Sequence, residues 1–187
     1  MKQRAIFILP LIVFCIIGFY LAKGLTLDPK KMPSMLDGKP VPTFSLPPIK
    51  GRDNNGFSQN HLLDKVALVN IFGSWCVACR IEHPFLMQLS ELSNTPIHGI
   101  NWREENPDSG PEWLKRHGDP YEFVGDDPRS KAAIAFGVTG APETFLVDQE
   151  GIIRYKHVGP LDLQTWRGIL WPLIQKLSHK NIPRGTL

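Results

Sequence analysis

Cysteine is scarce in this chain, with three in 187 residues, at 15, 76 and 79. Cys15 falls in the first apolar run, so the rest of the chain holds a single pair, too few for a disulfide-stapled scaffold. Paired histidines are missing as well: those at 61, 83, 98, 117, 157 and 179 show no His-x(3 to 5)-His spacing. A structural zinc site wants four soft ligands, so one cysteine pair alone argues against metal. A covalent haem site needs Cys-x-x-Cys-His, and Arg80 stands where the histidine belongs. Charge of one sign is lacking too. The net charge is +3, but Lys2 and Arg4 precede the first apolar run, and the chain beyond Ala22 carries 19 basic against 18 acidic residues. No cluster of Lys and Arg interleaved with aromatics occurs, which excludes a nucleic-acid surface. Repeats and low-complexity tracts are absent. With 42% hydrophobic and 21% charged residues, most of the length is neither disordered nor fibrous, and the chain fits one domain plus a leader.

There is one long hydrophobic run. "AIFILPLIVFCIIGFYLA", Ala5 to Ala22, is 18 residues without a charge, at the lower edge of what spans a bilayer and longer than a usual signal-peptide core. A cleaved signal wants small residues at minus three and minus one, and a cut after Ala22 puts Tyr20 at minus three. An uncleaved anchor over residues 1–22 fits better, with a cleaved signal peptide as the alternative; Pro10 is tolerable in a membrane helix. Lys2 and Arg4 precede the run while Lys23, Lys30 and Lys31 come after it, so the positive-inside count is ambiguous. The short basic leader points to a cytoplasmic N-terminus and an exported domain.

Beyond the run, residues 23–42 are proline-rich and aperiodic and read as a tether. A folded domain is expected over 43–180 and a tail over 181–187. "KVALVNIFG" is a continuous apolar run of strand length, as in a strand buried on both faces. Val77 to Ser93 is a helix, with Ile81, Phe85, Leu89 and Leu92 at helical spacing. "IHGINW" and "YEFVGDD" are strands, and "PEWLKRHG" is a helix opened by proline and closed by glycine. "SKAAIAFG" is a short helix. "ETFLVDQEGIIRYKHVG" is a hairpin turning at Asp148 to Gly151. "LDLQTWRGILWPLIQKLSHK" is a last amphipathic helix, with Leu163, Trp166, Ile169, Leu170, Leu173 and Leu177 on one side. The alternation predicts an α/β sheet with helices on both faces.

The pair in "GSWCVACRIEHP" admits two uses. As a structural disulfide it closes too short a loop to constrain the unfolded chain much. As a redox centre its placement has a reason: at a helix N-terminus, unpaired amides and the helix dipole favour the thiolate of Cys76, which is the nucleophile. Cys79, one turn on and more buried, is placed to resolve a mixed disulfide.

The segments "LVNIFGSWCVACRIEHPFL", "GINWREE" and "FGVTGAPETFLVDQEGIIRYKHVG" resemble, in that order, the thioredoxin superfamily. More narrowly they resemble the membrane-anchored thiol:disulfide interchange proteins of cytochrome c maturation, the DsbE/CcmG family, from about Pro40 to the last helix. The resemblance implies a thioredoxin-like fold, a central mixed sheet with helices on both faces, preceded by one N-terminal transmembrane helix. It implies catalytic Cys76 and Cys79, with Trp75 before the nucleophile and Pro84 beyond it. Pro142 corresponds to the cis-proline of the substrate site, with the Ala141 backbone pairing with a substrate strand. Glu82 and Glu143 match active-site acids, which disfavour thiolate and relay protons to Cys79. Asn70 stands where cytoplasmic thioredoxins carry a buried Asp, which shifts the proton-transfer role to the glutamates. Trp102 replaces the tyrosine that usually opens the "GINWREE" insert, and Val77-Ala78 between the cysteines is atypical.

The resemblance further implies a reductant of apocytochrome c cysteines, or of a mixed disulfide with an assembly partner, in the periplasm at the bacterial inner membrane. A membrane thiol transporter would supply electrons, with no cofactor or metal beyond the cysteine pair. The alternatives are a general periplasmic oxidase or isomerase, and a non-catalytic assembly subunit.

Overall fold

The buried run predicted after Lys65 is a strand in which every residue from Ala67 to Phe72 is buried, and the sheet is built outward from it. The computed structural model describes residues 2–25, 38–52 and 56–179. Most of the expected tether and all of the expected tail therefore lie outside the described residues. The described elements are helix α1 (Lys2–Leu25), strands β1 (Ser45–Leu46), β2 (Phe57–Ser58) and β3 (Ala67–Phe72), helix α2 (Val77–Leu92), strand β4 (Ile97–Trp102), helix α3 (Ser109–His117), strand β5 (Val124–Asp127), helix α4 (Lys131–Ala135) and strands β6 (Glu143–Val147) and β7 (Ile153–Val158). A last helix, α5, comprises Leu163–Thr165, a π-helical turn Trp166–Leu170, and Trp171–His179.

The chain forms two units, Met1–Pro33 and Ser34–Leu187. In the first, α1 carries Pro10 within it and its described side chains begin at Leu9. Among the described residues no helix is long and apolar enough to cross a membrane; the expected span, Ala5 to Ala22, starts before Leu9, where the described side chains begin.

In the second unit the strands run in the order β5, β4, β3, β6, β7, with β3, β4 and β5 parallel and β6 antiparallel to both of its neighbours, β3 and β7. Alternation along β3 divides the core. Leu68 and Phe72 join Leu86, Trp113 and Leu170 on the face covered by α2, α3 and α5. Val69 and Ile71 join Phe44, Phe57 and Phe136 on the face covered by α4 and the β1–β2 ribbon. That ribbon, of two residues a side, is too short to leave a period in the sequence. Within the expected tether, Gly38 and Val41 donate to the carbonyls of Ile153 and Gly151.

Two helix faces differ from the spacing. On α2, Ile81 and Leu92 are exposed, at 69% and 85%, and the buried row is Cys79, Glu82, His83, Leu86 and Leu89. The inward face thus carries two polar side chains, which an apolar period cannot register. On α5, Leu163 and Ile169 are exposed while Trp166, Leu170 and Ile174 are buried. The π turn is one residue wider than an α turn and shifts the phase of everything after it. The hairpin turn is fixed by Asp148, whose Oδ1 accepts from the backbone N–H groups of Glu150 and Ile152, and by Gly151 at φ 73°.

Candidate active site

The end of β3 runs into α2 through the turn Gly73 to Cys76. Cys76 is the N-cap of α2 in extended conformation, and its Sγ accepts the Cys79 N–H at 3.0 Å. The sulfur therefore occupies the place of a capping oxygen, where the unpaired amides of the first turn point. Cys76 and Cys79 form a disulfide with Cα atoms 5.3 Å apart. In this oxidised form both are buried, Cys76 at 5% exposure and Cys79 at 1%, so Cys76, the expected attacking sulfur, is the less buried one by a narrow margin. Trp75 covers the turn at 51% exposure; its Nε1 donates to the Trp102 carbonyl at 3.0 Å and its ring meets that of Trp102 edge-on. Gly73 leaves room for that indole: a Cβ there would lie 2.5 Å from Trp75 Nε1.

One turn beyond Cys79, on the same face of α2, the carboxylate of Glu82 is 2% exposed. Its Oε1 accepts from Asn70 Nδ2 at 2.9 Å and its Oε2 from the Leu161 N–H at 2.8 Å. Burial outweighs these two bonds and pushes the Glu82 carboxyl up to about 7. Asn70, fully buried in β3, links the site across the sheet. Its Nδ2 also donates to Thr144 Oγ1 at 3.1 Å, and its Oδ1 accepts from the Tyr121 hydroxyl at 2.7 Å. Burial, with the Glu82 charge next in weight, holds the Tyr121 hydroxyl well above its ordinary range.

The other wall comes from the loop before β6. The Ala141–Pro142 peptide is cis. Because Ile71 pairs with Glu143, Pro142 sits at the end of β6 level with the end of β3 that carries the cysteine turn. Ala141 packs against the core cluster that contains Cys76 and Cys79. Glu143 is wholly buried. Its Oε1 accepts from Thr139 N–H at 3.0 Å and Thr139 Oγ1 at 2.5 Å, and Lys156 Nζ lies 2.9 Å from its Oε2. Glu82 thus adjoins Cys79 along the helix, whereas Glu143 is committed to an ion pair with Lys156 and to its own loop.

Residues that the sequence left without a role also shape the site. A cleft of about 570 Å³ beside Trp75 is lined by Ser74, Arg103, Glu104 and Glu105 among others. Both oxygens of Glu104 are taken by Ser74. Tyr121, Thr139 and Lys156 reach the site from distant positions. Their only sequence signal is a polar residue beside a strand, which is common.

A sulfur pair at a helix N-cap on a mixed sheet, with a titrating acid one turn behind it, defines a class: thioredoxin-fold thiol:disulfide oxidoreductases. Residues 36–166 match the Redoxin family. The chain is 44% identical over 169 residues to the thiol:disulfide interchange protein DsbE of Allochromatium vinosum, covering 90% of this chain and 92% of that one. It is 38% identical over 186 residues to DsbE of Escherichia coli, covering 95% and 98%. The solved thio-disulfide isomerase of Thermus thermophilus superposes with a TM-score of 0.59 at 27% identity, over 75% of this chain and 96% of that one. The chain belongs to the DsbE family of thiol:disulfide interchange proteins and is a thiol:disulfide oxidoreductase.

Proposed function

We propose that the protein is the periplasmic reductant of cytochrome c maturation. Its Cys76–Cys79 dithiol reduces the haem-attachment cysteines of apocytochrome c, or the mixed disulfide of an assembly partner. The apolar leader anchors the domain to the inner membrane, and a membrane thiol transporter returns the electrons. The reading is supported by the resemblance of the cysteine turn, the "GINWREE" insert and the "GAPETF" loop to the family of that pathway, and by DsbE relatives aligned along nearly the full chain. An oxidising compartment makes a dedicated reductant necessary.

The observation that carries the chemistry is Glu82, buried behind Cys79 with its carboxyl near 7. The Cys76 thiolate attacks a partner disulfide; a Cys76–partner S–S bond forms and the partner's second sulfur leaves as thiolate. Cys79 then loses its proton to ionised Glu82 and attacks Cys76 Sγ. The Cys76–Cys79 bond closes, the mixed disulfide breaks, and the partner leaves reduced by two electrons, the sulfur freed first taking its proton from solvent. The proton on Glu82 passes to the departing thiolate through water.

A Cys79→Ala variant lacks the resolving sulfur and accumulates covalent adducts through Cys76. Isolation of these adducts from cells making c-type cytochromes is expected to yield apocytochrome c or a dedicated assembly protein. A broad set of unrelated exported proteins, together with a glutathione-equilibrium potential near −120 mV, the oxidising end of the thioredoxin-fold range, would instead mean a general oxidant.

A further inference from the structure

From the contacts around Ser74 we infer that Glu104 is a positioning residue for thiol–disulfide exchange: it holds the turn that presents Cys76 by fastening Ser74 from the end of β4. Glu104 is 9% exposed, and each of its oxygens has a distinct task. Oε1 accepts the Ser74 backbone N–H at 2.5 Å and Oε2 accepts the Ser74 hydroxyl at 2.8 Å. A carboxylate that takes both a backbone and a side-chain donor from one residue fixes that residue's position and its rotation, and charged acceptors make the stronger kind of hydrogen bond.

Ser74 lies two residues before Cys76, within a turn closed by the Cys76 N–H bond to the Gly73 carbonyl at 3.1 Å. Trp102, two residues earlier at the same strand end, completes the grip, since its carbonyl holds Trp75 Nε1. Between Trp102 and Glu104 the backbone turns sharply: Arg103 has φ 54° and its guanidinium lies over the Trp102 ring at 5.6 Å. A non-glycine residue in this region is uncommon, and here it aims the Glu104 carboxylate back at Ser74. Two residues flanking Arg103 at the end of β4 thus grip consecutive residues of the turn. The sulfur of Cys76 can serve as N-cap acceptor only while the turn keeps the extended geometry seen here. Loosening it withdraws the Cys76 thiolate from the first-turn amides that stabilise it. The inference rests on exchange chemistry at Cys76 and is independent of the partner's identity.

Position and charge are separated by two variants. Glu104→Gln keeps an oxygen for the Ser74 N–H and offers an N–H to the Ser74 hydroxyl, so the fastening stays while the charge goes. Glu104→Ala removes both. The readout is the pH profile of Cys76 alkylation by iodoacetamide in the reduced full chain, with Cys15 replaced by Ala in every variant. For Glu104→Ala the midpoint moves up, and a rise of about one pH unit slows alkylation about tenfold at any pH below it. Glu104→Gln shows no upward shift. Equal profiles for the two variants would overturn the inference, because charge or mere bulk would then explain Glu104; so would an unmoved Glu104→Ala profile. Should Glu104→Ala fail to fold by circular dichroism, Ser74→Ala decides: it loses only the Oε2 bond, a smaller upward shift is expected, and no shift overturns the claim.

Discussion

Among single residues, Glu82 is the group through which the proposed exchange responds to pH. A carboxylate with two donors would normally sit low, yet burial wins and the group titrates near 7, so near neutrality it can both take and return a proton. Replacing it with Gln removes the titration at nearly constant volume, although the amide NH2 then meets one of the two donors that the carboxylate accepted. Resolution of a Cys76 mixed disulfide, followed by stopped flow across the neutral range, is expected to slow about 10²-fold and to lose its inflection near 7. A Glu82→Gln profile that overlays the wild type would remove Glu82 from the proton path. Much of this geometry was legible residue by residue. The cysteine pair, Trp75 and the "GAPET" loop stand in fixed local patterns. The Glu104 contact to Ser74 spans 30 positions, and no local pattern announces a carboxylate that folds back across a strand end.

Among elements, those with an unmixed period were the easiest to read. β3 is apolar apart from Asn70 and wholly buried, so its run of strand length was unambiguous; the hairpin carried its own turn chemistry in Asp148 and Gly151. Phase was harder. The inward face of α2 holds Glu82 and His83, and a π turn displaces the stripe of α5, so apolar spacing misassigned Ile81, Leu92 and Ile169; Leu163, ahead of the π turn, is exposed in the first turn of the helix. Short α4 is held by a contact that spacing does not reveal. Its N-cap position, Ser130, is left-handed and makes no side-chain cap. Instead buried Asp127, at the end of β5, accepts from the Lys131 N–H at 2.7 Å and the Ala133 N–H at 2.8 Å. Asp127→Ala leaves both amides without their acceptor and is expected to lower the unfolding free energy by about 2 to 4 kcal/mol. Urea denaturation measures it; a loss below about 0.5 kcal/mol, the scale of an ordinary surface change, would mean that α4 does not depend on that carboxylate.

For the whole molecule, two buried groups on opposite faces of the sheet pull stability in opposite directions as pH changes. Glu82 has a carboxyl raised from 4.5 to about 7, so the folded state holds a proton that the unfolded state has released; its contribution makes stability fall as pH rises through that window. His98 is 1% exposed, packs against Phe57 and Phe123, and has no hydrogen-bond partner for either ring nitrogen among the described residues. Burial pushes it from 6.5 down to about 4, so the unfolded state takes up the proton first and stability falls as pH drops through that window. Each effect is on the order of 3 kcal/mol across its full range, and between about 4.5 and 6.5 they oppose. Of the two groups' contributions, His98→Phe is expected to leave the decline with rising pH, and Glu82→Gln the rise. Chemical denaturation at a series of pH values reads both slopes; parallel curves for the two variants would contradict the assignment.

The central claim is that Cys76 at the N-cap of α2 supplies the attacking thiolate while Cys79 waits behind it. The most direct test is iodoacetamide labelling of the native dithiol protein across pH, with the modified residue located by mass spectrometry. Cys76 should label first, with a midpoint below the value of about 8.5 for a free cysteine, and Cys79 should label only after unfolding. Preferential labelling of Cys79, or a Cys76 that stays inert until the domain is denatured, would contradict it.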